Sequence, residues 1–348
     1  MASELGINLG FATKRWPEPE QWARLAREEL GLGMVQFTFD LLDPWWPERE
    51  RRAMAARVRR AADDFGLTLH SAQLGLAWYA YNGLLHPDPA GRAIAREWWR
   101  RAIDTAAEIG VPAVGGPPGA LSVAAAAEPG AAEAAHVTLL DDLAAISQDV
   151  AAAGLTALLV EPTPLPREIP HTVAQAERLT RDLRGRLAVP IRWVLDVGHA
   201  LYRPLYGDEI TLERWIDALR DDIGLLHLQN HDYQSDAHWG WPDARGAFDV
   251  AAFARTIRAH ELTDVPVAIE LFYPFEMDDD DVLTSVRSTV RHCQEVLATG
   301  ALIPKGPHPL PPSPIAKGEG GRPAPDPAPL SLREGRGVRS EGESGEGS

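Results

Sequence analysis

Short apolar runs alternate with helix-length stretches through roughly the first 300 residues, and the last four runs each finish on a side chain able to bind a metal: Ala-Leu-Leu-Val-Glu161, Trp-Val-Leu-Asp196, Gly-Leu-Leu-His227 and Val-Ala-Ile-Glu270. Each run is too short for a helix. Being apolar almost throughout, each reads as a parallel strand buried on both faces. The helical stretches between them keep the strands pointing one way, so their C-terminal ends share a rim. Two Glu, one Asp and one His at one rim suit a hard or borderline divalent cation.

The same alternation runs from the start. Leu5–Leu9, Gly33–Phe39, Leu67–Gln73 and Pro112–Gly115 read as four earlier strands, with helices near Glu18–Leu30 and over Glu48–Phe65, Asp88–Ile109 and Glu133–Ala153. Thr172–Leu183, Leu212–Asp221, Val250–His260 and Asp279–Ala298 supply the later helices. Repeated strand–helix units imply a parallel sheet. Eight of them, with chemistry gathered at strand ends, predict a closed (β/α)8 TIM barrel. An open doubly wound sheet is the alternative, but Asn8-Leu-Gly10-Phe-Ala lacks the glycine pattern of a dinucleotide loop. From Pro304 the composition turns to Pro, Gly, Ser and mixed charge. The chain therefore divides into a barrel domain over 1–303 and a tail over 304–348. The tail cannot bury enough apolar area to offset its ordering entropy and is expected to be disordered.

The net charge of −16 repels phosphate backbones, so nucleic acid and anionic membranes are poor partners. A small phosphorylated substrate is not excluded, because a metal ion changes the local sign. The single cysteine, Cys293, rules out an intramolecular disulfide or a thiolate zinc site. No stretch has the pattern of a signal peptide or the length of a membrane span, so the expected location is the cytoplasm. Trp45, Trp46, Trp78, Trp239 and Trp241 fall near strand ends, where aromatic walls often line small-ligand pockets.

Glu161 is followed by Pro162-Thr-Pro164, which forces the chain out of the sheet. A Glu buried at a barrel mouth needs a partner, and Glu270 has the same placing. Asp196 opens Asp-Val-Gly-His199, which puts the histidine in the loop at the same mouth. His227, Gln229 and His231 alternate, so strand periodicity aims all three at one face, with His227 chosen as the metal ligand. His70 is read either as a substrate contact or as a core histidine. His238-Trp239 and Trp241-Pro242, in the long loop after the seventh strand, are read as a lid or as ordinary packing.

These pieces together resemble the xylose-isomerase-like TIM barrel superfamily of sugar and sugar-phosphate isomerases and epimerases. The order Glu161, Asp196-Val-Gly-His199, His227-Leu-Gln-Asn, Phe248-Asp249 and Ile-Glu270-Leu-Phe-Tyr-Pro carries the likeness, which covers roughly residues 5–298. By that resemblance Glu161, Asp196, His227 and Glu270 would hold one divalent ion (manganese, magnesium or cobalt), with Glu161 and Glu270 doubling as acid–base residues. His199 would contact a substrate oxygen, and Gln229, His238 and His70 are the other candidate substrate contacts. The activity implied is isomerisation or epimerisation of a small ketose or ketose phosphate through a metal-stabilised enediolate. An inosose-type dehydratase and a non-catalytic sugar-binding barrel are the alternatives. Where ketose epimerases usually place a substrate-binding arginine, this chain has His238 or, further on, Arg245. The expected partner is a sugar or sugar phosphate, and self-association is left open.

Overall fold

The computed structural model describes residues 4–299. Eight strands close into a barrel in sequence order: β1 Leu5–Asn8, β2 Met34–Thr38, β3 Thr68–Gln73, β4 Ala113–Gly116, β5 Ala157–Val160, β6 Ile191–Asp196, β7 Ile223–Leu228 and β8 Val267–Ile269. All neighbours are parallel, and β1 meets β8 through Leu5↔Val267, Gly6↔Ala268 and Ile7↔Ile269. The main helices are α1 Pro19–Arg24, α2 Glu48–Phe65, α3 Pro89–Ile109, α4 Ala131–Ala152, α5 Val173–Leu183, α6 Leu212–Leu219, α7 Val250–Ala259 and α8 Asp279–Thr299. The expected (β/α)8 barrel is therefore the observed one. The tail expected to be disordered, residues 304–348, lies outside the described residues, as do 1–3 and 300–303 of the barrel domain. Among the described residues no helix is long and apolar enough to cross a membrane.

Local chemistry fixes the helix ends. Asp88 caps α3 by accepting from the Ala90 amide, with Pro89 in the first turn where no amide is needed. Gly110 ends that helix at φ 93°, a conformation costly for other residues. Thr172 and Asp249 cap α5 and α7 in the same side-chain manner.

Two apolar layers divide the work. One packs the outer faces of the strands against the helices and includes Ile7, Val35, Phe37, Val160, Leu195, Leu226 and Ile269. The other fills the barrel interior with Met34, Ala113, Ala157, Leu159, Val194, Leu225 and Ala268. The interior layer positions the site. A strand repeats every two residues, so the residues two beyond Met34, Leu159, Val194, Leu225 and Ala268 also face inward. They are Gln36, Glu161, Asp196, His227 and Glu270. The apolar layer is the floor on which a polar layer stands.

One register differs from simple alternation. Between β2 and β3 the pairing passes from Val35↔Leu69 to Gln36↔Ser71, skipping His70, so His70 is the extra residue of a bulge. A second shift on β7 skips Gly224, and the His70 ring bonds to the Gly224 backbone.

Candidate active site

Glu161, Asp196, His227 and Glu270 are all buried, and one ligand atom from each lies within 4.8 Å of the others. From Nδ1 of His227 the distances are 3.1 Å to Glu270 Oε2, 3.4 Å to Glu161 Oε1 and 4.0 Å to Asp196 Oδ2. Three of these atoms (Glu161 Oε1, Asp196 Oδ2 and His227 Nδ1) are buried with no hydrogen-bond partner. Buried polar atoms are seldom left so.

The other atom of each side chain is held. Gln73 donates to Glu161 Oε2. Asn8 donates to Glu270 Oε1 at 2.9 Å. The amides of Gly198 and His199 and the side chain of Gln229 donate to Asp196 Oδ1 at 2.7, 3.0 and 2.9 Å. His227 Nε2 lies 2.7 Å from Gln36 Oε1, which also accepts from Asn8. That acceptor fixes the proton on Nε2 and leaves the Nδ1 lone pair for a cation. Three carboxylates and an imidazole, each with one atom pinned and one free, fit a hard or borderline divalent ion. In Asp-Val-Gly-His the glycine keeps the cap open, since a Cβ at Gly198 would lie 2.5 Å from the Gln229 amide.

The electrostatics agree. Burial alone would lower His227, but Glu270 and Glu161 outweigh it and raise the imidazole to about 10. Burial pushes Glu161 up, whereas at Glu270 the His227 charge overcomes burial and the carboxyl falls. A proton on His227 thus supplies countercharge where a metal ion would.

The remaining residues singled out above divide into two groups. His199, Gln229 and His238 gather at the mouth around Asp236. Its carboxylate lies 3.2 Å from His199 Nε2, 3.0 Å from His238 Nε2 and 3.1 Å from the Gln229 amide. His199 Nδ1 donates to the Pro162 carbonyl at 3.2 Å. Burial opposes charge on His238, but Asp236 prevails and lifts it to about 9. Asp196, His199 and His238 form a second set of closely spaced potential ligands that shares Asp196 with the first.

His70 is not with them. At the bulge it bonds Ser71 Oγ at 3.0 Å, and it does not line the candidate cavity. The third-strand residue that reaches the rim is Gln73. His231 packs against Phe248 and Tyr233, its Nδ1 accepting from the Tyr233 amide. The loop 238–242 is fastened down: Trp239 and Asn230 exchange backbone bonds, and the Trp241 amide donates to Thr289. The packing reading of that loop holds over the lid.

Burial holds His70 and His231 down at about 4, with help from the His227 charge at His70 and against the pull of Asp196, Asp236 and Asp232 at His231. An unfolded histidine titrates near 6.5, so between about 6.5 and 4 the unfolded chain binds more protons and stability falls as pH falls. The loss is at most on the order of 3 kcal/mol per histidine at the foot of that window. Thermal melts of wild type and His231→Phe between pH 7 and 4.5 check this. The variant should lose less on acidification, and parallel curves would contradict it.

Asn8, Gln36, Gln73 and Asp236 were missed in the sequence. The signal available was an amide closing an apolar run, as in Gly-Ile-Asn8 and Ser-Ala-Gln73. Also missed was Glu168, buried beside Thr163 and Tyr79, where desolvation lifts its carboxyl to about 7.

The family model described as xylose isomerase-like TIM barrel matches residues 23–291. A Rhodospirillum rubrum protein named provisionally as a xylose isomerase has a crystal structure that superposes with a TM-score of 0.82 at 38% identity, covering 84% of this chain and 99% of that one. A Brucella abortus protein named D-erythrulose 1-phosphate 3-epimerase is 22% identical over 306 residues, covering 86% of this chain and 98% of its own. The D-psicose 3-epimerase of Clostridium cellulolyticum shares the fold, with a TM-score of 0.64 at 14% identity over 84% of this chain and 99% of its own.

Proposed function

This chain belongs to the xylose isomerase-like TIM barrel family, and we propose that it is a divalent-metal-dependent isomerase or epimerase acting on a ketose or ketose phosphate. One observation carries the reading: three buried ligand atoms converge without partners, and the two glutamates around them open on one cavity. Glu161, Asp196, His227 and Glu270 would hold the ion. When bound, it would polarise the carbonyl and the neighbouring hydroxyl and offset the charge that builds on them.

The protein's own part is proton movement and placement. Glu161 and Glu270 sit on different strands, each fixed at one oxygen and free at the other. One takes the proton from the carbon beside the carbonyl, and the other returns a proton. Return to the same carbon inverts it, whereas return to the neighbouring carbon shifts the carbonyl. His199 and His238, held by Asp236, line the mouth where substrate oxygens would meet them. The apolar floor below the ligands and the aromatic ring of Phe272 at the cavity wall limit water around the reacting carbon. A sugar-metabolising enzyme of the cytoplasm, working on a diffusible small molecule, is the setting that fits this reading.

The test is a screen of C3–C6 ketoses and their phosphates in heavy water with manganese, followed by proton NMR. The expected result is deuterium at one carbon beside the carbonyl, with a new epimer or aldose appearing. Absence of exchange across the whole panel would overturn the assignment.

A further inference from the structure

Beside the catalytic cavity runs a second and much larger hollow. The cavity itself encloses about 70 Å³, enough for the reacting end of a sugar. The adjoining trough encloses about 910 Å³. Leu74 and Leu76, just past β3, line both, so the two adjoin. The trough is walled by Trp45, Trp78, Tyr81, Trp98 and Phe275. Several of these rings are left open to solvent, with Tyr81 64%, Phe275 53% and Trp45 39% exposed. An exposed aromatic surface next to a reaction site marks a binding surface more often than a packing fault. Trp78 stacks on Trp98 with centroids 4.5 Å apart, which makes that wall rigid.

The charge pattern selects what can lie there. Among the described residues no Lys or Arg lines the cavity or the trough, and Arg101, which lies over the Trp45 ring, is paired with Glu97 at 2.7 Å, whereas Asp40 and Asp43 do line the trough. A phosphate dianion needs a cation or a helix N-terminus. In barrels that place is commonly after the seventh and eighth strands, and here it is occupied otherwise. Asp279, Asp280 and Asp281 fill the first turn of α8. Arg15 is bonded to Asp279 at 2.9 Å and to the Pro274 carbonyl. Arg245 is paired with Asp243 at 2.6 Å and lies over the Trp239 ring. Lys14 lies over the outer wall ring of Phe275. Ring faces with a few carboxylates instead suit the C–H faces and hydroxyls of a neutral saccharide.

We infer that the substrate is an unphosphorylated keto sugar carrying a neutral glycosidic extension, which lies in the aromatic trough while the keto unit occupies the cavity. This rests on the keto-sugar reading above and specifies its substrate class.

Two measurements test it on the full chain. Phenyl β-D-glucoside, which has no ketone and cannot react, is titrated by NMR into wild type, Trp45→Ala and Tyr81→Ala. It should bind wild type and lose about tenfold in affinity in each variant, the effect of removing one stacking wall. With manganese in heavy water, proton exchange is then compared for D-fructose, D-fructose 1-phosphate and phenyl β-D-glucoside oxidised to a ring ketone. The keto-glycoside should show the highest kcat/KM. The two variants should lower that value about tenfold and leave D-fructose unchanged. Faster exchange of the phosphate than of the keto-glycoside would overturn the inference, as would glucoside binding that is absent or indifferent to both substitutions. So would variants that change the sedimentation coefficient but not glucoside affinity, since the trough would then belong to a second copy of the chain. If the glucoside binds through Trp45 and Tyr81 but no ketone exchanges, the enzymatic reading fails while the ligand class stands.

Discussion

Replacing Glu161 or Glu270 by glutamine should lower kcat by about 10³-fold, inside the range lost when a positioned base is removed. Glutamine keeps the shape and one acceptor oxygen, so the bonds from Gln73 and Asn8 persist in outline. It cannot accept the substrate proton. The substitution also removes one of three carboxylates crowded around His227, so the fold should tolerate it: the far-ultraviolet circular dichroism and melting temperature should stay near wild type. Manganese binding by equilibrium dialysis separates the two roles of each glutamate. A variant that still loads metal but does not turn over has lost its base. A variant with near-normal turnover would remove that glutamate from the chemistry.

Chelation should be equally severe and reversible. EDTA treatment followed by desalting should abolish turnover, and manganese should restore it. The three orphaned ligand atoms make the metal-free site a costly arrangement of buried charge, relieved in part by the proton on His227. Binding therefore feeds directly into stability. At a free metal concentration one hundred times Kd the gain is about 2.7 kcal/mol, which for a barrel of this size raises Tm by roughly 4 °C. Calorimetry with and without manganese reads this shift. Turnover that survives chelation, or a Tm indifferent to metal, would refute the ion site.

Much of this site was legible because of strand parity. Glu161, Asp196, His227 and Glu270 each close an otherwise apolar run, and a run buried on both faces has no cheap place for a charged end except the barrel mouth. The amides were harder. Asn8, Gln36 and Gln73 reach the ligand side chains only through bonds spanning 262, 191 and 88 residues, and nothing local announces them. His70 was left between two readings for a different reason. A bulge inserts one residue and breaks the period of two, so counting along the strand gives the wrong neighbour at the rim. Asp236 lies in the long loop after β7, where no periodicity operates, and its role is set by the two imidazoles it meets.

The bond from Asn8 to Glu270 crosses the seam where the first strand meets the last. A ribosome-bound chain that has emerged only through β7 already carries three of the four convergent side chains. It lacks the fourth, and the residue meant to hold that fourth group has been waiting since the earliest moments of synthesis. On the proposed reading, turnover would begin only after translation has passed the final strand, and a truncated or nicked product that has lost it would be inert instead of partly active.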